Sequence, residues 1–85
     1  MNKSKEFGHA VIAACVTASL DAYLKHLDGE RVSNLHELVM STVEKTLIED
    51  VLARAGHNQS KAAAMLGINR NTLRSKLEKY RIKLG

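Results

Sequence analysis

The last third of the chain carries the side chains best suited to bind a polyanion. From His57 onward there are seven Lys or Arg residues and one acidic residue, Glu78, so this segment has a net charge of +6. Residues 1–56 carry six basic and eight acidic side chains and sum to −2. Positive charge confined to one end of a small protein is typical of nucleic-acid binding, although a solvated basic tail has the same composition.

The spacing of these cations indicates contacts to both bases and phosphates. Arg70 and Arg74 lie one helical turn apart in "NRNTLRSKLEKY", so on a helix they share one face. From a helix in the major groove, Arg donates two hydrogen bonds to O6 and N7 of guanine, whereas small polar side chains and helix N-termini bind phosphate. The predicted DNA-binding residues are Asn58, Gln59, Ser60, Lys61, Asn69, Arg70, Thr72, Arg74, Ser75, Lys76 and Lys79.

Two short helices must position these side chains. Asn58 and Asn69 are suitable N-cap residues for helices over about 59–66 and 70–80, and Gly67 ends the first of the two. Small residues where two helices approach, followed by a glycine turn, are typical of a helix-turn-helix unit. The position that is usually apolar near the middle of the second helix falls on Lys76, and an apolar residue follows directly. The predicted scaffold of the unit, with Gly67 at its turn, consists of Ala62, Ala63, Leu66, Gly67, Ile68, Leu73 and Leu77.

Two longer helices precede this unit, and the sequence predicts an all-α fold with four helices per subunit. Apolar residues at intervals of three and four predict helices over about 8–27 and 35–55, with Asn34 and Glu37 as a capping pair and Gly56 as the end of the second. We expect one domain over 1–85, in which 8–56 dimerise and 57–85 bind DNA.

The apolar stripe of the second long helix is wider than two short helices can cover. We therefore expect the two long helices to form an antiparallel hairpin, and two such hairpins to interleave in a homodimer. A monomeric four-helix domain is the alternative. The predicted dimer interface consists of Val16, Leu20, Leu24, Leu35, Leu38, Val39, Val43 and Leu47.

Enzymatic function is not expected. The four histidines show no metal-ligand spacing, and Gly67 stands alone rather than in a glycine-rich phosphate loop. Cys15 lies on the apolar stripe of the first helix, where a lone cysteine usually packs, and it leaves no intramolecular disulfide to form. We predict no catalytic residue, no metal and no cofactor.

The N-terminal region is expected to be a folded helix in a cytoplasmic protein. Its apolar run over residues 10–18 is short and is interrupted by Thr17, unlike a signal peptide. No segment is expected to approach the 18 or so apolar residues needed to span a bilayer. No membrane partner is expected.

The segments "LHELVMSTVEKTLIEDVL" and "GHNQSKAAAMLGINRNTLRSKLEKY" resemble the bacterial Fis family, named for the factor for inversion stimulation, and the likeness covers roughly residues 12–82. It implies a nucleoid-associated homodimer whose first two helices form an intertwined core. The two recognition helices would lie closer together than successive major grooves, so that sequence-tolerant binding bends double-stranded DNA. The resemblance also implies a role in transcription regulation and makes RNA polymerase a candidate partner.

The resemblance assigns DNA contacts to a subset of the residues above. Two of them, Arg70 and Arg74, are implied to face bases. Longer members carry an N-terminal β-hairpin that contacts DNA invertases, but only about ten residues precede the first expected helix here, so stimulation of inversion is not expected. The stretch "RNTLRSKL" is also similar to the DNA-binding domains of NtrC-type activators, which remain the alternative. The matching contact positions are Asn58, Ser60, Asn69, Arg70, Thr72, Arg74, Lys76 and Lys79.

Overall fold

The computed structural model describes residues 3–84, which contain four α-helices and no strand. The helices are α1 (Lys3–Leu27), α2 (Leu35–Arg54), α3 (Gln59–Leu66) and α4 (Arg70–Lys79). The prediction of an all-α fold with four helices is confirmed. The chain divides after Ser33 into two units, of which the first contains α1 and the second contains α2, α3 and α4.

Helix α1 begins at Lys3, five residues before the predicted start at Gly8. Lysine and glutamate are good helix formers, and Glu6 in the first turn interacts favourably with the positive end of the helix dipole. The expectation of about ten residues before this helix is therefore wrong. No residue of α1 is buried. The sequence predicted that Cys15 would be packed, but its side chain is exposed.

By length and composition, α1 is apolar enough to cross a membrane. The expectation that no segment approaches this limit is thus wrong, because the few polar residues between Gly8 and Leu27 are mostly uncharged. The same test is passed by core helices of soluble proteins and by N-terminal signal sequences.

Helix α2 starts without the predicted capping pair. Asn34 adopts a left-handed conformation (φ 53°, ψ 30°), and its side chain makes no cap hydrogen bond. A side-chain cap requires an extended backbone at this position, so the predicted Asn34–Glu37 pair is wrong. The Asn34 carbonyl still accepts a hydrogen bond from the Leu38 N–H at 3.0 Å. At the other end, Gly56 follows α2 with φ 66°, as expected.

The core of the second unit lies between the C-terminal half of α2 and the helix pair α3–α4. Half-buried side chains pack around it, among them Leu66 and Ile68. The predicted scaffold of the helix-turn-helix unit is confirmed for its six apolar side chains, which belong to this core or pack against it, whereas Gly67 lies exposed at the turn. Helix α2 therefore shares a unit with α3 and α4. The sequence instead predicts a dimerisation segment in which α2 is grouped with α1 and which ends at Gly56. The buried residues are Ile48, Leu52, Ala55, Ala62, Ala63, Leu73, Leu77 and Ile82.

Candidate nucleic-acid interface

The turn between α3 and α4 is fixed by its glycine. Gly67 has φ 74°, a left-handed conformation that costs glycine little. Its N–H donates to the Ala64 carbonyl at 3.1 Å, and the Ile68 N–H donates to the Ala63 carbonyl at 3.0 Å. This is the Schellman arrangement, which ends α3 and lets the chain turn into α4.

Two asparagines start the short helices, as predicted. The Asn58 side chain accepts a hydrogen bond from the Lys61 N–H at 3.0 Å, and the Asn69 side chain accepts one from the Asn71 N–H at 2.7 Å. Both residues have the extended backbone that Asn34 lacks. These caps leave the other N–H groups of the first turn of α3 free to bind an anion.

Helix α4 carries exposed arginines beside its buried apolar face. Leu73 and Leu77 are buried against α2 and α3, whereas Arg70 and Arg74 are exposed. Among residues 3–84, neither arginine has a carboxylate within 4.0 Å. Both guanidinium groups are therefore available to an outside ligand at the N-terminal half of the helix.

The structure leaves most of the predicted DNA-binding residues on the surface, and the two exceptions are Gln59 and Lys76, which are half-buried. The exposed members are Asn58, Ser60, Lys61, Asn69, Arg70, Thr72, Arg74, Ser75 and Lys79.

Lys76 is half-buried because its ammonium group pairs with a carboxylate on α2. Its Nζ lies 2.9 Å from Oε2 of Glu44. The hydroxyl group of Tyr80 donates a hydrogen bond to Oε1 of the same carboxylate. Glu44 thereby connects α2 to the C-terminal turn of α4 at two points.

These contacts shift the pKa of both acidic partners. The hydrogen bond from Tyr80, followed by that from Lys76, holds the pKa of Glu44 below its ordinary value. The same hydrogen bond to Glu44 raises the pKa of Tyr80 to about 12. At neutral pH the carboxylate of Glu44 is therefore ionised and the phenol of Tyr80 is neutral.

Sequence reasoning missed Glu44 and Tyr80. The available signal was Lys76 at a position that is usually apolar, since a cation held at the edge of a core requires an anionic partner. The nearby Lys79 is exposed, and its ammonium group lies 5.2 Å from the centre of the Tyr80 ring. In the part of the chain that the structure describes, no group of three or more His, Cys, Asp or Glu side chains could hold a metal ion.

The residues predicted to form a dimer interface are incompletely buried within the chain. Val16 and Leu20 on α1 are half-buried, as are Leu35 and Val39 on α2. The remaining members, Leu24, Leu38, Val43 and Leu47, are exposed. Their role in dimerisation stays a prediction.

Comparison with known proteins identifies the family. Residues 39–80 match the profile described as "Bacterial regulatory protein, Fis family". A Fis-like DNA-binding protein of Ralstonia nicotianae is 49% identical over 69 residues, which cover 81% of this chain and 90% of that protein. The chain belongs to the Fis family. The predicted membership is thus confirmed, and the match favours it over the NtrC-type alternative.

Longer members of the Fis family match the same region. The DNA-binding protein Fis of Vibrio atlanticus is 51% identical over 65 residues, and that of Vibrio cholerae is 49% identical over 65 residues. Each match covers 76% of this chain and 66% of the relative. The chain therefore spans about two thirds of the length of these two Fis proteins.

Proposed function

We propose that this Fis-family chain is a homodimeric DNA-binding protein that bends duplex DNA and acts in nucleoid organisation and transcription regulation in the cytoplasm. The observation that carries the proposal is the pair of exposed arginines, Arg70 and Arg74, on the outer face of α4. Leu73 and Leu77 hold the neighbouring face of α4 in the core, so the exposed arginines have one orientation in which to meet a ligand.

The two arginines and their polar neighbours have different roles in this proposal. Arg70 and Arg74 reach base edges in the major groove, where each supplies part of a modest sequence preference. The other residues of the predicted set, apart from Lys76, bind the sugar–phosphate backbone and fix the register of α4 on the duplex. Lys76 belongs to the predicted set but already has a partner in Glu44. The proposed phosphate ligands are Asn58, Gln59, Ser60, Lys61, Asn69, Thr72, Ser75 and Lys79.

Exposed apolar surface supports the homodimer. Phe7 and Ile12 on α1 are 71% and 62% exposed, and large apolar side chains along the N-terminal half of α2 are exposed as well. Apolar surface of this kind marks interaction sites in soluble proteins, and a second copy of the chain supplies a matching surface. Family membership supports RNA polymerase as a further candidate partner. We propose no catalytic activity.

Bending follows from the dimer rather than from one subunit. Two recognition helices on a rigid symmetric core engage adjacent major grooves only at the spacing that the core sets. When that spacing is shorter than one helical repeat of straight DNA, the duplex must curve, and flexible sequences between the half-sites are preferred.

Circular-permutation electrophoresis tests this proposal. The DNA fragments have equal length and carry one binding site at different distances from their ends. In a separate experiment, sedimentation equilibrium gives the mass of the free protein. We expect mobility to be lowest when the site is central, and a mass of two chains. Complexes whose mobility is independent of site position would exclude bending, and a monomer mass with intact DNA binding would exclude the dimer.

A further inference from the structure

We propose that Glu44 is a positioning residue for DNA binding, which withholds Lys76 from phosphate and anchors the last turn of α4 through Tyr80. This inference rests on the proposed DNA binding. It assigns a function to a carboxylate on α2, outside the predicted DNA-binding residues.

Both oxygens of Glu44 are engaged by α4 and the residue that follows it. The ammonium group of Lys76 lies 2.9 Å from Oε2, and the Tyr80 hydroxyl donates to Oε1. The side chains of Lys76 and Glu44 are 28% and 34% exposed, so the pair is partly shielded from water and counter-ions. A shielded pair is screened by salt much less than a surface pair, so its cation is not freely available to a competing anion.

The surroundings of Glu44 make Lys76 the cation that it holds. The ammonium group of Lys79 lies over the ring of Tyr80, outside ion-pair distance of the carboxylate, and that side chain is exposed. Glu44 lies in a cleft between α2 and the end of α4, and His36 and Glu37 on α2 also line this cleft. Of the two lysines in the last turn of α4, Glu44 neutralises one and leaves Lys79 available to DNA.

If Glu44 holds Lys76 away from DNA, the number of phosphates that the protein contacts is reduced, and this number can be measured from the salt dependence of binding. Each cation that neutralises a DNA phosphate contributes about −0.9 to the slope of log K against log salt concentration. Releasing Lys76 in both subunits of a dimer therefore makes the slope steeper by about 1.8. Between 50 and 200 mM salt, that change adds about a 12-fold loss of affinity.

Fluorescence anisotropy with a labelled duplex, repeated over a salt series, tests the inference. In Glu44→Gln the amide oxygen still accepts from Tyr80, but the charge that holds Lys76 is removed. We expect this variant to bind tighter at low salt and to show the steeper slope. We expect Lys76→Gln alone to leave the slope unchanged, and Lys76→Gln in the Glu44→Gln background to restore the wild-type slope.

Two controls separate this role from general effects. Glu49→Gln removes the same charge from an exposed position on α2 that makes no ion pair among the described residues, and it should leave the slope unchanged. Tyr80→Phe removes the anchor but not the charge, so it should lower the melting temperature and preserve the slope. Circular dichroism confirms that each variant is folded.

The outcomes distinguish this inference from the proposed function. If the wild-type protein binds no duplex, both proposals fail. If it binds and Lys76→Gln alone flattens the slope by about 1.8, Lys76 contacts phosphate in the wild-type complex and the inference is overturned while DNA binding stands. An unchanged slope in a folded Glu44→Gln variant would overturn it equally.

Discussion

Helices α3 and α4 both end in the Schellman arrangement, which requires one residue with a left-handed backbone. The two helices place different residue types at that position. After α3 that residue is Gly67, with φ 74°, and after α4 it is Arg81, with φ 52°. The Arg81 N–H donates to the Glu78 carbonyl at 3.2 Å, and the next N–H donates to the Leu77 carbonyl at 3.0 Å. Both turns therefore need a left-handed residue, and exchanging the residue type should change stability in opposite directions.

The expected magnitudes follow from the backbone. A left-handed conformation costs a residue with a Cβ atom about 1–2 kcal/mol, part of which Gly→Ala recovers by restricting the unfolded chain. A Cβ atom added at Gly67 would have no neighbouring atom within 4 Å, so no clash adds to this cost. We expect Gly67→Ala to lower the free energy of unfolding by about 1 kcal/mol and Arg81→Gly to raise it by about the same amount.

Urea unfolding followed by circular dichroism measures both changes. At about 2 kcal/mol per molar urea, the midpoint should fall by roughly 0.5 M in Gly67→Ala and rise by roughly 0.5 M in Arg81→Gly. All samples need one protein concentration, because the midpoint of an oligomer depends on it. Gly8→Ala is the matched control: Gly8 lies inside α1 with open space around it, so alanine should not destabilise the protein. Shifts of the same sign at positions 67 and 81 would refute the reasoning.

Four further substitutions test other parts of the structure. Leu73→Ala leaves a cavity in the core and should cost about 2–5 kcal/mol in the free energy of unfolding, measured by urea titration. Asn58→Ala removes the cap of α3 and should cost about 1 kcal/mol, whereas Asn34→Gly removes no cap and relieves a left-handed residue, so its thermal midpoint should not fall. The pKa of Glu44 is lowered in the folded protein, so its charge contributes stability above the ordinary value of 4.5, and this contribution is lost as the pH falls through the depressed pKa. The difference in melting temperature between the wild-type protein and Glu44→Gln should therefore be constant between pH 4.5 and the ordinary tyrosine pKa of 10.0, and should shrink below pH 4.5; a difference that grew in acid would contradict this assignment.

Local signals in the sequence account for most of the C-terminal unit. Asn58, Asn69 and Gly67 determine where the short helices start and stop, and each acts within three residues of its own position. Leu73 and Leu77 share a face because they are one turn apart. Such features were predicted correctly because the interactions that form them are short-range.

Other features depend on information that a local pattern does not carry. Asn34 is a good N-cap by residue type, but its left-handed backbone is incompatible with a side-chain cap. The start of α1 was missed because residues 3–7 have no apolar periodicity, although they are compatible with a helix. The contacts of Glu44 with Lys76 and Tyr80 join residues 32 and 36 positions apart, and only the packing of the α3–α4 pair on α2 brings them together.

The most direct test of the central claim compares Arg74→Ala with Lys79→Ala on four duplexes that differ at one base pair of the binding site. We expect Arg74→Ala to lose roughly 1–3 kcal/mol, about 5- to 150-fold in affinity, on the preferred duplex and much less on the other three. Lys79→Ala should weaken all four similarly and flatten the salt dependence by about one unit per subunit. An equal loss on all four duplexes with Arg74→Ala would contradict base readout by the exposed face of α4.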